Sequence, residues 1–255
     1  MSVKKDKEGL TRWFCANQFV EFEVSSDMAL FADPITSAGG EKTTYSIPTY
    51  EAIKGVLKSI YWKPTFLWVI DKVRVMNSIR TETIGTKLPR INGDGQDLAN
   101  YTYLVDVKYQ VRAHLVWNEN RPEYAEDRDF RKHYGIFAKS LLKGGRLPVF
   151  LGKSECCADV TPCDFGSGSG AYDESGQINF GYMYHGITYP DEAYSEDTRD
   201  CLTLDIAPVL MKNGIIEFME PSQCIHKRIR SGGIKEFEQK GDVVNAVDDG
   251  SHRDV

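Results

Sequence analysis

The feature that most constrains the fold is the run of residues 101–117, in which apolar and polar side chains alternate. The apolar positions are Val105, Val107, Tyr109, Val111, Ala113 and Leu115, and the polar positions are Asp106, Lys108, Gln110, Arg112 and His114. A period of two is typical of a β-strand with one buried face and one polar face. The run therefore predicts a long strand at the centre of a sheet.

Shorter patterns on either side of this strand predict the rest of one domain. Residues 19–24 alternate as a strand, residues 49–61 repeat apolar side chains at helical spacing, and residues 65–76 form an apolar extended run. A second helix is predicted over residues 123–143, ending at Gly144-Gly145, and a short strand over residues 147–151. The order strand, helix, strand, strand, helix, strand predicts an α+β, ferredoxin-like domain of the RNA-recognition type over residues 15–152.

Three further segments complete the predicted organisation. Residues 78–100 contain Pro89, Asn92-Gly93 and Asp94-Gly95, which indicates an irregular, loop-like insert. Residues 153–238 shift to Asp, Glu, Gly, Ser and Tyr, and predict a smaller, mainly β annex with a hairpin turn at Asn213-Gly214. The charged residues 239–255 predict a disordered tail.

Composition limits the classes of protein that fit this chain. With 255 residues and 41% hydrophobic content, it can bury a substantial core. No segment approaches the roughly 20 apolar residues of a membrane span, and the N-terminus lacks an export signal, so we expect a cytoplasmic protein without a membrane partner. Its six cysteines are therefore expected as free thiols, and their spacing gives no metal site.

Charge is distributed unevenly along the chain. The formal net charge is −6, yet residues 1–150 carry 22 basic against 18 acidic side chains. Within residues 42–90 the count is 9 basic against 3 acidic, a local excess that could follow a phosphate backbone. A solvated basic face without a ligand is the alternative explanation.

The segment GGEKTTYSIPTYEAIKGVLKSIYWKP, residues 39–64, combines a tyrosine, a helix start and a basic amphipathic helix. Pro48-Thr49 opens the helix, and Lys54 and Lys58 lie off its predicted core face. Tyr45 lies just upstream in a loop, where scaffolds commonly present reactive side chains. This is where we expect contact with RNA.

That segment, together with Val75-Met76-Asn77-Ser78-Ile79-Arg80, resembles the CRISPR-associated Cas-five family in its type I-C (Dvulg) form. The resemblance extends over roughly residues 15–235. It implies a repeat-RNA-processing endoribonuclease that stays in a Cascade-type surveillance complex. The implied partners are CRISPR repeat RNA, mature guide RNA, and the backbone and large subunits of the complex, with target DNA left open.

RNA can be cleaved without a metal when its own 2′-OH attacks the adjacent phosphate, and no cofactor is then required. The reaction needs a base, a cation and an acid. His114 suits proton transfer because its unperturbed pKa of about 6.5 lies near working pH. Arg112 and Lys108 share its polar face. Tyr45 could supply a proton or orient the ribose.

The resemblance implies a catalytic set of a tyrosine before the first helix with a lysine and a histidine near the end of the long strand. Tyr45 and His114 match, but Ala113 stands where the lysine is expected. Arg112 or Lys108 would then have to supply the cation. From the residues alone, Tyr45 could equally anchor its loop, and His114 could be an ordinary hydrogen-bonded histidine.

Other basic residues are expected to bind RNA rather than catalyse. The insert of residues 78–100 resembles the thumb with which related subunits hold the guide's 5′ handle. Gly144-Gly145-Arg146 resembles the glycine-rich loop of these RNA-recognition folds, although two glycines after a helix are also an ordinary stop signal. The predicted RNA-binding residues are Lys42, Lys54, Lys58, Arg80, Lys87, Arg90 and Arg146. His133 is predicted on a helix surface and His185 in the annex core.

Three hypotheses follow. The first is a metal-independent endoribonuclease that binds a repeat hairpin, cleaves by 2′-OH attack to leave a 2′,3′-cyclic phosphate, and retains the 5′ handle. The second is a noncatalytic guide-RNA-capping scaffold of the same complex, which Ala113 favours. The third is an unrelated ferredoxin-like enzyme or regulator.

Overall fold

A computed structural model describes residues 6–37, 41–90 and 93–234. The tail of residues 239–255, predicted to be disordered, lies outside these ranges. The described residues form a mixed α+β fold in which one large, mainly antiparallel sheet carries helices on one face. None of the helices in the described ranges has the length and apolar character needed to cross a bilayer.

The sheet follows the order β11-β9-β10-β3-β5-β1-β7-β6, with β2 and β4 added on β5 and β8 added on β9. Its strands are β1 Val20–Ala29, β2 Lys42–Thr43, β3 Phe66–Val75, β4 Thr81–Pro89, β5 Gln96–Trp117, β6 Val149–Phe150, β7 Cys157–Pro162, β8 Gln177–Thr188, β9 Cys201–Lys212, β10 Ile215–Glu217 and β11 Ile225–Ser231.

β5 is the long central strand that the alternating pattern predicts. It pairs with β1 on one side and β3 on the other, and Val111 and Ala113 on its apolar face are fully buried. The strand begins earlier than predicted, and Asp106 has a positive φ of 53° opposite the break in its pairing with β1. This irregularity divides β5 into an outer part and an inner, core-covering part.

Helices cover the apolar face. They are α1 Lys7–Asn17, α2 Pro34–Ser37, α3 Tyr50–Ile60 and α4 Phe130–Leu141. α3 confirms the predicted first helix: the Thr49 side chain accepts a hydrogen bond from the Ala52 N–H as its N-cap, and Ile53, Val56 and Leu57 are buried. α1, which was not predicted, packs on α4 through Phe14 and Phe137.

The predicted second helix is shorter than expected. Residues Pro122–Asp127 form a separate 3₁₀ turn, and α4 begins only after Asp129, whose carboxylate accepts the N–H groups of Arg131 and Lys132. The prediction that His133 lies on a helix surface is wrong. Its ring is fully buried, and its nitrogens hydrogen-bond the Tyr61 hydroxyl and the Asp127 carbonyl.

The insert of residues 78–100 is not the irregular loop that was expected. β4 pairs with the first part of β5 from Thr81–Leu104 to Pro89–Gln96, so the insert is a regular β-hairpin. Gly93 and Gly95, which precede β5, both have positive φ values that suit glycine.

Strands from the predicted annex complete the same sheet. β7 pairs with β1, and β10 pairs with β3, while β9 and β10 are joined at Asn213-Gly214, where both residues have positive φ. The predicted strand of residues 147–151 shrinks to β6, which pairs with β7. β7, and not β6, is thus the neighbour of β1.

Candidate active site and RNA-contacting residues

His114 lies on the polar face of β5 and is held by Asp71 of β3. The His114 Nδ1 is 2.8 Å from the Asp71 Oδ1, and both side chains are about one-third exposed. A carboxylate at Nδ1 fixes the ring orientation and favours the tautomer that leaves Nε2 free to accept a proton. This arrangement suits proton transfer.

A β-bulge creates the pair. The register of β3 against β5 shifts between Ile70 and Lys72, so Asp71 is an extra residue with no partner on β5. Ile70 and Val73 are buried in the core, and the two charged residues between them are both displaced toward the polar face. Bulges of this kind commonly re-aim a side chain beside a functional site.

Lys72 is the cation that this bulge brings next to His114. In the register of β3 against β5, Lys72 lies opposite Arg112. It is therefore the diagonal neighbour of His114, at about 7–8 Å between α-carbons. Its Nζ forms an ion pair of 2.6 Å with the Glu217 carboxylate of β10. His114, Asp71, Lys72 and Glu217 line one open cavity of 300 Å³.

The two cations expected from the sequence are less available. Arg112 donates to the buried Glu21 carboxylate, with an ion-pair distance of 2.6 Å, and its guanidinium lies over the rings of Phe19 and Phe165. Lys108 pairs with Glu23 and lies six residues, or roughly 20 Å of strand, from His114. Arg112 thus lies near His114 with its guanidinium held by Glu21. Lys108 is not among the residues that line the cavity of His114.

Tyr45 lies outside the cavity of His114 and packs against the core beside Asp33. Its hydroxyl is 3.3 Å from an Asp33 carboxylate oxygen, its backbone N–H donates to the Phe31 carbonyl, and its ring packs on the core. Burial raises the pKa of the phenol above its ordinary value, and the Asp33 carboxylate adds to the rise. Tyr45 is therefore suited to donate a hydrogen bond and poorly suited to act as a base.

Tyr45 and His114 are held by different parts of the sheet. β2, which leads directly into Tyr45, pairs with Tyr101 and Thr102, whereas His114 lies twelve residues farther along β5 than Thr102. Tyr45 packs on the helix-bearing side, and His114 projects from the opposite face. The two groups also have different carboxylate partners, Asp33 for Tyr45 and Asp71 for His114.

Lys54 and Lys58 are engaged by the protein itself. Both ammonium groups contact the Glu192 carboxylate, and Lys54 and Glu192 are 4% and 6% exposed. Burial raises the pKa of Glu192, but the two lysines more than offset this and hold that pKa below its ordinary value. Lys54 is therefore not accessible to RNA, because its charge joins α3 to the turn at Pro190–Glu192.

The remaining predicted RNA-binding residues lie at the surface but not in one place. Arg80 pairs with Asp106 and Arg90 pairs with Asp97, so both arginines of the hairpin already have a carboxylate partner. Lys87 is exposed on β4. Lys42 lies over the Tyr101 ring, and Arg146 lies over the Tyr61 ring.

The other polar candidates are structural. His185 is buried as predicted, stacks on Tyr50 at 4.1 Å between ring centroids, and burial lowers its pKa to about 4. All six cysteines are free, as expected. Within the described ranges, no group of three His, Cys, Asp or Glu side chains is arranged to hold a metal ion.

Asp71 and Lys72 are not among the site residues that the sequence predicts. A signal was present, because two adjacent charged residues, Asp71 and Lys72, interrupt the alternation of the strand FLWVIDKVRV. The bulge that turns both toward His114 depends on register, and register cannot be read from one strand by itself.

Comparison with known proteins gives a consistent result. The family model for Cas5d, described as CRISPR-associated protein (Cas_Cas5), matches residues 19–219. Two curated relatives named CRISPR pre-crRNA endoribonuclease Cas5d are 29% identical over 147 residues (Mannheimia succiniciproducens) and 26% identical over 154 residues (Thermus thermophilus). The matches cover 49% and 57% of this chain, and the chain spans less than two thirds of these relatives, 63% and 64% of their lengths.

Solved structures agree with the family match. A functionally uncharacterized protein from Streptococcus mutans is 35% identical with a TM-score of 0.67, and a CRISPR-associated protein is 32% identical with the same score. Each alignment covers 82% of this chain and 96% of the other. The family-model match over residues 19–219 and the likeness to these two structures together show that the chain belongs to the Cas5d family of CRISPR-associated proteins.

Proposed function

We propose that this protein is a metal-independent endoribonuclease that cleaves CRISPR precursor RNA at the cavity around His114. The observation that carries the proposal is the His114–Asp71 pair on the β3 bulge, with Lys72 lining the same open cavity. The names of the curated relatives support the substrate class.

Each residue has a distinct role in the proposed reaction. His114 Nε2 takes the proton of the ribose 2′-OH while Asp71 steadies the imidazolium that forms. The 2′-oxygen bonds to phosphorus, the bond from phosphorus to the 5′-oxygen breaks, and the leaving oxygen takes a proton from water. Lys72 neutralises the charge that develops on the phosphorane.

The reaction class is tested with an end-labelled repeat hairpin and purified protein in EDTA. We expect cleavage to persist in EDTA, to leave a 2′,3′-cyclic phosphate and a 5′-hydroxyl, and to stop when the nucleotide before the cut carries 2′-deoxyribose. Cleavage of the deoxy substrate, or loss of cleavage in EDTA with recovery on adding Mg²⁺, would exclude this mechanism.

Lys72 gives a sharper test of the site. Because it is asked to stabilise transition-state charge, we expect Lys72→Gln to lower the single-turnover cleavage rate roughly 10²-fold with little change in hairpin affinity. Lys108→Gln, which also removes a glutamate-paired lysine from the polar face of β5, is the comparison. A larger loss of rate from Lys108→Gln than from Lys72→Gln would assign the catalytic cation to Lys108, as expected from the sequence, and not to Lys72.

Tyr45 is proposed to position RNA or its own loop rather than to transfer the proton. Removing its hydroxyl costs one hydrogen bond to Asp33, about 0.5–1.5 kcal/mol. We therefore expect Tyr45→Phe to change the single-turnover rate less than about tenfold. A loss as large as that of a His114 variant would place Tyr45 among the reacting groups.

A noncatalytic guide-RNA cap is the second candidate. Ala113 in place of the expected lysine favours it. Tight hairpin binding with no cleavage under any of the conditions above would establish the cap and exclude the enzyme.

The finer expectations from the sequence belong to the same proposal. We propose a ferredoxin-like core built from β1, α3, β3, β5 and α4, with the hairpin of residues 78–100 as the thumb that holds the 5′ handle. The proposed setting is a type I-C surveillance complex in the cytoplasm, with the backbone and large subunits as neighbours. Lys42, Lys58, Arg80, Lys87, Arg90 and Arg146 remain proposed RNA contacts.

A further inference from the structure

A basic groove runs between α1 and α4 on the helix-bearing side of the sheet. It has a volume of 1150 Å³, and its charged lining comprises six basic and two acidic side chains. The basic residues are Lys7, Arg12, Arg128, Arg131, Lys132 and Lys139, and the acidic residues are Glu8 and Asp129. The groove thus carries a local excess of positive charge, although the whole chain has a net charge of −6.

Most of this positive charge is not neutralised by the protein. Arg128 pairs with Glu119, and Lys132 contacts Asp127. The Asp129 carboxylate already accepts the first N–H groups of α4. The other four cations, Lys7, Arg12, Arg131 and Lys139, are exposed and form no ion pair within the described part of the chain.

The groove has a fixed shape. Gly135 of α4 lies against Thr11 of α1, where an added β-carbon would be 3.5 Å from the Thr11 methyl group. Below this contact, Phe14 packs on Tyr134 and Phe137. The two helices have 11 and 12 residues and are therefore about 16–18 Å long. They place the basic side chains of the groove in two rows, one on each helix.

The chemistry of the lining favours a phosphate backbone over a protein partner. Stable protein interfaces place apolar and aromatic side chains at a desolvated centre. The apolar residues of this groove, Phe130 and Ile136, are only partly exposed, and neither is among the large exposed hydrophobic side chains of the described chain. Lysine and arginine rows without an apolar centre are typical of surfaces that contact nucleic-acid phosphates.

We propose that the groove between α1 and α4 is a second nucleic-acid-binding surface, which holds a sugar–phosphate backbone without reading its sequence. It goes beyond the proposed function, since the groove lies on the opposite face of the sheet from His114. It also depends on α1, whose residues precede the span 19–219 matched by the family model.

The test uses the full chain with Lys7, Arg12, Arg131 and Lys139 all replaced by Gln. The control replaces four exposed cations elsewhere, Lys143, Lys212, Lys227 and Arg230, by Gln, and changes the net charge equally. Fluorescence anisotropy would measure binding of a random-sequence 20-base-pair DNA duplex, the same duplex in RNA, and an unstructured RNA strand. Each would be titrated at several salt concentrations between 50 and 200 mM.

Four phosphate contacts on a duplex should make wild-type affinity fall by roughly a hundredfold between 50 and 200 mM salt. We expect the groove variant to bind at least about tenfold more weakly at 50 mM and to lose most of this salt dependence, while the control retains it. A loss on both duplexes identifies the shared backbone as the ligand, and a loss on one alone identifies its source as RNA or DNA. Equal losses in groove and control variants, or no loss in the groove variant, would overturn the proposal.

Discussion

Replacing His114 by alanine is expected to lower the single-turnover cleavage rate of a repeat hairpin by about 10²–10⁴-fold, the usual contribution of a positioned acid–base group. The effect should fall on the rate and leave hairpin affinity nearly unchanged, because the imidazole acts on a proton in the transition state. Asp71→Asn should lower the rate in the same direction, since the carboxylate that orients Nδ1 is lost.

His226 provides a matched control for His114. Its Nδ1 lies 2.7 Å from Asp205, so it reproduces the histidine–carboxylate pair, but on β11 and away from the bulge. We expect His226→Ala to cleave at the wild-type rate. Equal losses in both variants would mean that the His114 effect reflects general damage, and a fully active His114→Ala protein would remove His114 from the mechanism.

The second large effect concerns stability. Removing the Glu192 carboxylate leaves Lys54 buried without its ion-pair partner, and breaking one partner of a buried ion pair typically costs about 3–5 kcal/mol. We therefore expect Glu192→Ala to lower the free energy of unfolding in urea by an amount in this range. Since its pKa is depressed, the contribution of Glu192 is present at neutral pH and is lost as pH falls through that depressed value.

Two variants separate the ion pair from mere truncation. Glu196→Ala removes an exposed glutamate that pairs with Arg199, and it should change stability by less than about 1 kcal/mol. The double variant Lys54→Met with Glu192→Leu removes both buried charges and should recover most of the loss. A Glu192→Ala protein as stable as Glu196→Ala would show that the pair does not hold α3 to the rest of the molecule.

The elements that could be predicted from the sequence are those whose pattern is local. The inner part of β5 and helix α3 follow from periodicity and a Thr49 N-cap, and the Asn213-Gly214 turn follows from its dipeptide. The sequence does not predict the hairpin at 78–100, because the exposed strand β4 lacks a buried face and alternation gives no signal there. His133 was misplaced because burial of a polar ring depends on Tyr61 and Asp127, which are far away in sequence.

The candidate site shows the same limit. The role of His114 could be anticipated from its residue type and its face of β5, but its partner could not, because Asp71 comes from another strand through a one-residue shift. The helical position of Lys54 predicts a solvated side chain that could bind RNA, yet Glu192, 138 residues later in the chain, covers it. Long-range pairing of charges is fixed by the tertiary fold, and a single sequence does not encode it in any local pattern.

The central claim is that one site around His114 cuts RNA and that Tyr45 does not share it. A crystal structure with a repeat hairpin carrying 2′-deoxyribose at the cut tests this most directly. We expect the scissile phosphate in the cavity of Asp71, Lys72 and His114, with His114 Nε2 within about 3–3.5 Å of the 2′-carbon or the 5′-oxygen. A scissile phosphate bound beside Tyr45 and Asp33, with His114 remote from it, would contradict the account.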